Sequence, residues 1–257
     1  MTKFLLRILL LASLLSWLGA QLAAAELRAA VAANFAATLE RLGQAYARET
    51  GTRLIISSAA SGKHYAQIRQ GAPFDLFFSA DDRRSRDLVR SGHALPDSPF
   101  VYAEGVLVLW SPTAGRIPQD GLAFLKSDDY PRLAMANPRI APYGSAAMAV
   151  LERHDIRLAP DQLVRGQSVG QAFNFLVTGN APAGFVALSQ VIDHERRHGP
   201  GSRWLPRPDD YPPIRQEVVL LTTARNPKTA QRFLHWIRQD PVAAAIILAD
   251  GYRLPDR

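Results

Sequence analysis

The chain has 257 residues, of which 47% are hydrophobic and 21% charged, enough apolar material for a substantial core and a composition unlike that of disordered or coiled-coil chains. Its formal net charge of +7 is not gathered into a basic cluster interleaved with aromatics, since Arg83-Arg84 and Arg196-Arg197 are only short runs, so nucleic acid is not an expected partner. The absence of cysteine excludes a disulfide framework, thiol catalysis, thiolate zinc sites and cysteine-ligated iron–sulfur clusters.

In chain order, Lys3 and Arg7 lead an apolar run from Ile8 to Leu18, and Ala23-Ala24-Ala25 supplies the small-x-small pattern of a signal-peptidase site. Residues 1–25 are therefore expected to be an export signal cleaved after Ala25. The alternative, a retained membrane anchor, is disfavoured because the run falls short of the roughly 20 residues needed to span a bilayer. Cleavage removes two cations and no acids, which lowers the net charge from +7 to +5.

The remainder alternates short apolar runs with helical periodicity, the pattern of α/β architecture. Leu27 to Ala33 reads as a buried strand. Phe35, Leu39, Leu42 and Tyr46 then mark one helix face that stops near Gly51. A strand over Arg53–Ser57, a helix from Ser61 to Gln70, a strand over Phe74–Ser79 and a helix from Asp81 to Ser91 complete three βα units. Val101 to Trp110 reads as one long apolar strand containing Gly105. A second series follows: strand Arg132–Ala136, helix Tyr143–His154, strand Leu163–Arg165, helix Val169–Thr178, strand Gly184–Ala187 and helix Leu188–Arg197. Beyond a proline-rich stretch from Pro206 to Pro213 come a strand over Gln216–Thr222 and two helices opened by Asn226-Pro227 and Asp240-Pro241. The two long apolar strands bracket the middle section, so two lobes are expected, residues 26–104 with 217–257 in one and 105–216 in the other.

Four turns open helices with small or polar residues: Ala32-Ala33-Asn34, Ser57 to Gly62, Ala141 to Ser145, and Gly166 to Gly170. Each presents backbone N–H groups at a positive helix end, although for any single turn an ordinary N-cap is the first reading. In open α/β sheets such turns gather at the carboxyl edge of the strands, where ligands bind.

The segment Val31-Ala32-Ala33-Asn34-Phe35, Ser61, and the run from Gln67 to Asp81 carrying Gly71-Ala72-Pro73-Phe74-Asp75-Leu76-Phe77-Phe78-Ser79-Ala80-Asp81 resemble the periplasmic molybdate-binding proteins of ABC importers. Pro142-Tyr143-Gly144, Gly184 to Gln190 and Gly251-Tyr252 fit the same family. The resemblance implies a two-lobe, Venus-flytrap binding protein in the periplasm, without enzymatic activity, cofactor or protein-bound metal ion. It implies capture of molybdate or tungstate between the lobes and transfer to a membrane permease, with a monomer as the expected state. Carried over by position, the oxyanion would be held by Ala33 and Asn34, by Ser61, and by the backbone N–H groups of Tyr143 and Val169. Some relatives place a tyrosine hydroxyl on the anion where this chain has Ala187, a donor that Asn34 is expected to make up. Another small oxyanion such as sulfate is the alternative within the same fold.

A reading of another class comes from His194-Glu195-Arg196-Arg197-His198, a literal H-E-x-x-H match that would make the protein an exported zinc hydrolase. The segment is highly charged, Gly199-Pro200 ends it at once, and neither His235 nor Glu217 is a motivated third ligand, so a solvated helix end is expected. There is no G-x-S-x-G elbow, and Gly62-Lys63 lacks the glycine a phosphate-binding P-loop needs at Ser57. Asp81-Asp82 and Asp128-Asp129 read as helix caps, and Lys63 as turned to solvent.

Overall fold

The computed structural model describes residues 25–127 and 130–255. Residues 1–24 of the expected export signal and the Asp128-Asp129 pair lie outside them. Two five-stranded mixed sheets organise the chain, each flanked by helices.

The first sheet begins with β1 (Glu26–Ala32), α1 (Ala36–Thr50), β2 (Arg53–Ala59), α2 (Ser61–Arg69), β3 (Leu76–Phe78), α3 (Asp82–Arg90) and β4 (Phe100–Gly105). The chain then builds the second sheet from β5 (Leu107–Ser111), α4 (Gly121–Lys126), β6 (Leu133–Ala136), α5 (Pro142–Arg153), β7 (Leu163–Gly166), α6 (Val169–Val177), β8 (Ala183–Ala187), α7 (Leu188–His198) and β9 (Ser202–Trp204). It returns to the first sheet through β10 (Ile214–Leu220) and ends in α8 (Pro227–Gln239) and α9 (Pro241–Ala249). The strand orders are β2-β1-β3-β10-β4 and β7-β6-β8-β5-β9. Within them β1, β2 and β3 run parallel, as do β6, β7 and β8, while β10 and β5 are antiparallel to both of their neighbours.

Local chemistry accounts for these elements. β3 is covered on both faces, so all three of its residues are apolar and buried. α1 buries Leu39, Leu42 and Tyr46 and stops at Gly51, whose φ of 72° is left-handed and whose N–H donates to the Ala47 carbonyl. Asp81 caps α3 by accepting from the Arg84 N–H, and Asp240 caps α9 by accepting from the Val242 N–H.

Three features depart from the sequence expectation. The single strand expected over Val101–Trp110 is two, because the chain leaves the first sheet at Gly105 and enters the second at Leu107. Val106 between them accepts a hydrogen bond from the Leu188 N–H at 2.9 Å. The edge strand β9 and the short helix α4 were not expected; β9 has three residues, too few for an alternation to register.

The core of the second sheet is centred on Leu107 to Trp110, Leu133 to Ala136 and Val186, and it extends to Ala32, Ala60 and Ala80. Those alanines lie at the carboxyl ends of β1, β2 and β3, so the edge of the first sheet packs directly onto the second lobe.

Candidate functional site

The turns at that edge bring helix starts from both lobes together. Ser61 is the first residue of α2, Pro142 and Tyr143 open α5, and Val169 opens α6, where the Ser168 Oγ accepts from the Gln171 N–H at 3.2 Å. N–H groups in a first helical turn have no acceptor within the helix and sit at its positive end. The Gly62 N–H donates to the Ile140 carbonyl at 3.0 Å, tying the start of α2 to the turn that precedes α5. On the other side Ala33 meets the start of α6 so closely that a Cβ on Gly170 would lie 3.2 Å from the Ala33 Cβ.

The residues singled out from the sequence are placed as follows. The Ala33 N–H donates to the Ala59 carbonyl at 2.9 Å, so this residue offers its methyl group but no free backbone donor. Asn34 is buried in the β1–α1 turn, where its Nδ2 donates to Gln216 Oε1 at 2.8 Å and to the Tyr252 hydroxyl at 3.1 Å. Its carbonyl accepts from the Tyr252 hydroxyl at 2.7 Å and the Ser189 hydroxyl at 3.0 Å, while its Oδ1 is buried without a hydrogen-bond partner. Ser61 is buried, and its Oγ accepts from the Ala80 N–H at 2.9 Å, which leaves the hydroxyl proton to be donated. Tyr143 and Val169 are buried with their N–H groups in first helical turns. Ala187 is buried at the N-cap of α7 and contributes no hydroxyl.

Gln216, Tyr102 and Ser189 carry no role in the sequence pattern, and Tyr252 fits the family there without an assigned contact. Gln216 Oε1 also accepts from the Tyr102 hydroxyl at 3.1 Å, and its Nε2 donates to the Tyr143 hydroxyl at 3.5 Å. Burial raises the phenols of Tyr102, Tyr143 and Tyr252 above their ordinary range, so they stay neutral and available as donors. The one signal available beforehand is a glutamine near the head of the apolar run Val218 to Leu221, a polar residue where a core side chain would otherwise sit.

Cations stand outside this group. Lys63 is exposed, as expected. Arg84 pairs with Asp81 and donates to the Arg139 carbonyl at 3.3 Å. Farther along α1 and α7, Arg41 pairs with Asp193 at 2.9 Å and with Asp250, and Arg196 pairs with Asp250 at 2.8 Å, which binds α7 to the first lobe.

The H-E-x-x-H segment occupies the end of α7. The Glu195 carboxylate accepts from Arg203 at 3.1 Å and from the Gly201 N–H at 3.3 Å. His194 is not turned to solvent as expected: its ring packs edge-on against Trp110 at 5.3 Å and Phe173 at 5.7 Å, with the His198 ring tilted against it at 4.4 Å. The cause is the inward face of α7, which lays position 194 over the apolar second lobe, and this burial lowers the His194 pKa. Among the described residues there is no cluster of three or more His, Cys, Asp or Glu able to hold a metal ion.

The profile of the bacterial extracellular solute-binding protein family matches residues 27–253. The chain is 44% identical over 232 residues to the molybdate-binding protein ModA of Rhodobacter capsulatus, covering 90% of this chain and 89% of that protein. It is 42% identical over 232 residues to the ModA of Azotobacter vinelandii, covering 90% and 91%. The solved structure of the Azotobacter vinelandii periplasmic molybdate-binding protein is similar throughout, with a TM-score of 0.85 at 41% identity, covering 90% of this chain and all of that one.

Proposed function

The chain belongs to the bacterial extracellular solute-binding protein family, and on that premise we propose that it captures molybdate or tungstate in the periplasm and delivers it to the permease of an ABC importer. It is a solute-binding protein and not an enzyme. In this reading residues 1–25 direct export and are removed after Ala25. The crossings fall in this reading where β4 ends and β10 begins, so one lobe takes residues 26–105 with 214–257 and the other 106–213, in place of the expected division at 104 and 217, and the protein acts as a monomer.

The observation that carries the reading is the meeting of helix starts from both lobes around neutral hydrogen-bond donors, at Ser61, Tyr143 and Val169, beside the Asn34 turn. A tetrahedral dianion at such a place receives charge-assisted hydrogen bonds worth about 1.5–3 kcal/mol each. Ser61 donates its hydroxyl, Tyr143 and Val169 their backbone N–H groups, Asn34 its side chain, and the Ala33 methyl closes one wall. Neutral donors hold the anion without a fixed countercharge, so it can still be handed on. A thermal-shift panel of oxyanions on the mature protein tests this: molybdate or tungstate at about 100 times Kd stabilises it by about 2.7 kcal/mol, and sulfate does so weakly or not at all.

A further inference from the structure

Gln216 stands in a buried polar chain that joins the β1–α1 turn to the opposite lobe. It is fully buried on β10, where the pairing with β4 shifts register between Gln216 and Glu217, an irregularity of the kind that re-aims a side chain. Its Oε1 accepts from Asn34 Nδ2 at 2.8 Å and from the Tyr102 hydroxyl at 3.1 Å, and its Nε2 reaches the Tyr143 hydroxyl at 3.5 Å. With its nitrogen held in this way, Asn34 has one amide atom left over, Oδ1, buried and accepting nothing. An acceptor oxygen repels a dianion, whereas an N–H in its place attracts it.

A half-turn leaves a carboxamide nearly the same shape and exchanges donor for acceptor. If Gln216 and Asn34 turn together, the chain of bonds is preserved. Gln216 Nε2 donates to Asn34 Oδ1 and to the Tyr102 hydroxyl, which donates on to the Ser79 carbonyl already 3.2 Å away. The Tyr252 hydroxyl re-aims its single proton from the Asn34 carbonyl, which keeps the Ser189 hydroxyl, to Asn34 Oδ1, and Gln216 Oε1 accepts from the Tyr143 hydroxyl. The net changes are that Asn34 Nδ2 takes the place of the unpartnered oxygen and that the Asn34 carbonyl accepts from Ser189 alone.

We propose that Gln216 is the positioning residue for oxyanion recognition: by turning in concert with Asn34 it directs the Asn34 N–H at the anion and accepts the Tyr143 hydroxyl of the opposite lobe. Gln216 itself does not touch the anion. This inference rests on the oxyanion reading and deepens it, since it supplies the side-chain donor missing at Ala187.

A double-mutant cycle on the mature protein tests it, with molybdate titrated by calorimetry and folding checked by circular dichroism. Gln216→Leu weakens binding about tenfold in the otherwise unchanged protein, as one positioned donor is lost. In the Asn34→Ala background the same substitution changes affinity less than about twofold, because its intermediary is gone. Equal losses in both backgrounds, or no loss in either, overturn the positioning role while leaving molybdate binding standing. If the unsubstituted protein binds no group-six oxyanion, the functional reading and this inference fall together. Should Gln216→Leu not fold, side-chain amide NMR of the unsubstituted protein decides the matter, with Asn34 assigned by its loss in Asn34→Asp. Saturating molybdate shifts the Asn34 Nδ2 resonances strongly and reverses the through-hydrogen-bond coupling, so that Gln216 Nε2 becomes the donor to Asn34. Unaltered Asn34 amide resonances, or an unreversed coupling, contradict the proposal.

Discussion

Gly105 lies directly beneath the phenol of Tyr143: a Cβ at this position would stand 2.9 Å from Tyr143 Cζ and closer still to its hydroxyl, and 2.8 Å from Gln216 Nε2. The last residue of β4 is therefore the floor on which side chains from β10 and α5 meet. Gly105→Ala is expected to cost about 1–3 kcal/mol of stability by overpacking and to weaken oxyanion binding, as it forces Tyr143 and Gln216 apart. Adding Tyr143→Phe, which removes the hydroxyl nearest the new methyl, should restore part of both. Urea unfolding and calorimetry on the single and double variants measure the recovery, and an undisturbed single variant would contradict the packing account.

Ser61→Ala should have two separable effects. Without ligand it leaves the Ala80 N–H unpaired in a buried place, a loss of about 1–3 kcal/mol in stability. With ligand it also removes a hydroxyl donor, weakening affinity roughly 5- to 150-fold. A stability loss with unchanged affinity would make Ser61 a structural residue only.

Tyr143 separates backbone from side-chain recognition. Tyr143→Phe keeps the N–H in the first turn of α5 and loses only a long contact to Gln216, so it should bind within about fivefold of normal. Tyr143→Pro deletes that N–H at a position where proline suits a helix start, although it follows Pro142. If the variant folds by circular dichroism, its affinity should drop well below that of Tyr143→Phe; the reverse order would place recognition on the phenol.

His64 predicts an acid limit to stability. It is buried on α2, with Nδ1 bonded to Gln67 at 3.1 Å and Nε2 unpartnered, and burial lowers its pKa below 6.5. The unfolded chain takes up the proton first, so His64 costs nothing well above pH 6.5, and stability falls as pH drops below it. His64→Gln should flatten that part of the pH profile in urea unfolding at pH 7.5 and pH 5. An equal fall in both proteins would assign the acid sensitivity elsewhere.

The sequence displayed the βα alternation well, because buried parallel strands and one-sided helices leave distinct periods, and glycines such as Gly51 punctuate them. It concealed the break at Val106, since an apolar run reads the same whether it stays in one sheet or passes to another. The site divides in the same way. Helix starts at Ser61, Tyr143 and Val169 are local and visible as small or polar turns, whereas Gln216, Ser189 and Tyr252 reach Asn34 across 182, 155 and 218 residues of chain. Their roles come from topology alone. The orientation of the Asn34 carboxamide is likewise set by those distant partners and not by its turn.

The most direct measurement is a calorimetric titration of the mature protein with molybdate, tungstate and sulfate, each alone and in competition. The account predicts one group-six oxyanion bound per chain, with sulfate at least about tenfold weaker and displaced by molybdate. No binding of either group-six oxyanion, or equal affinity for sulfate, would contradict it.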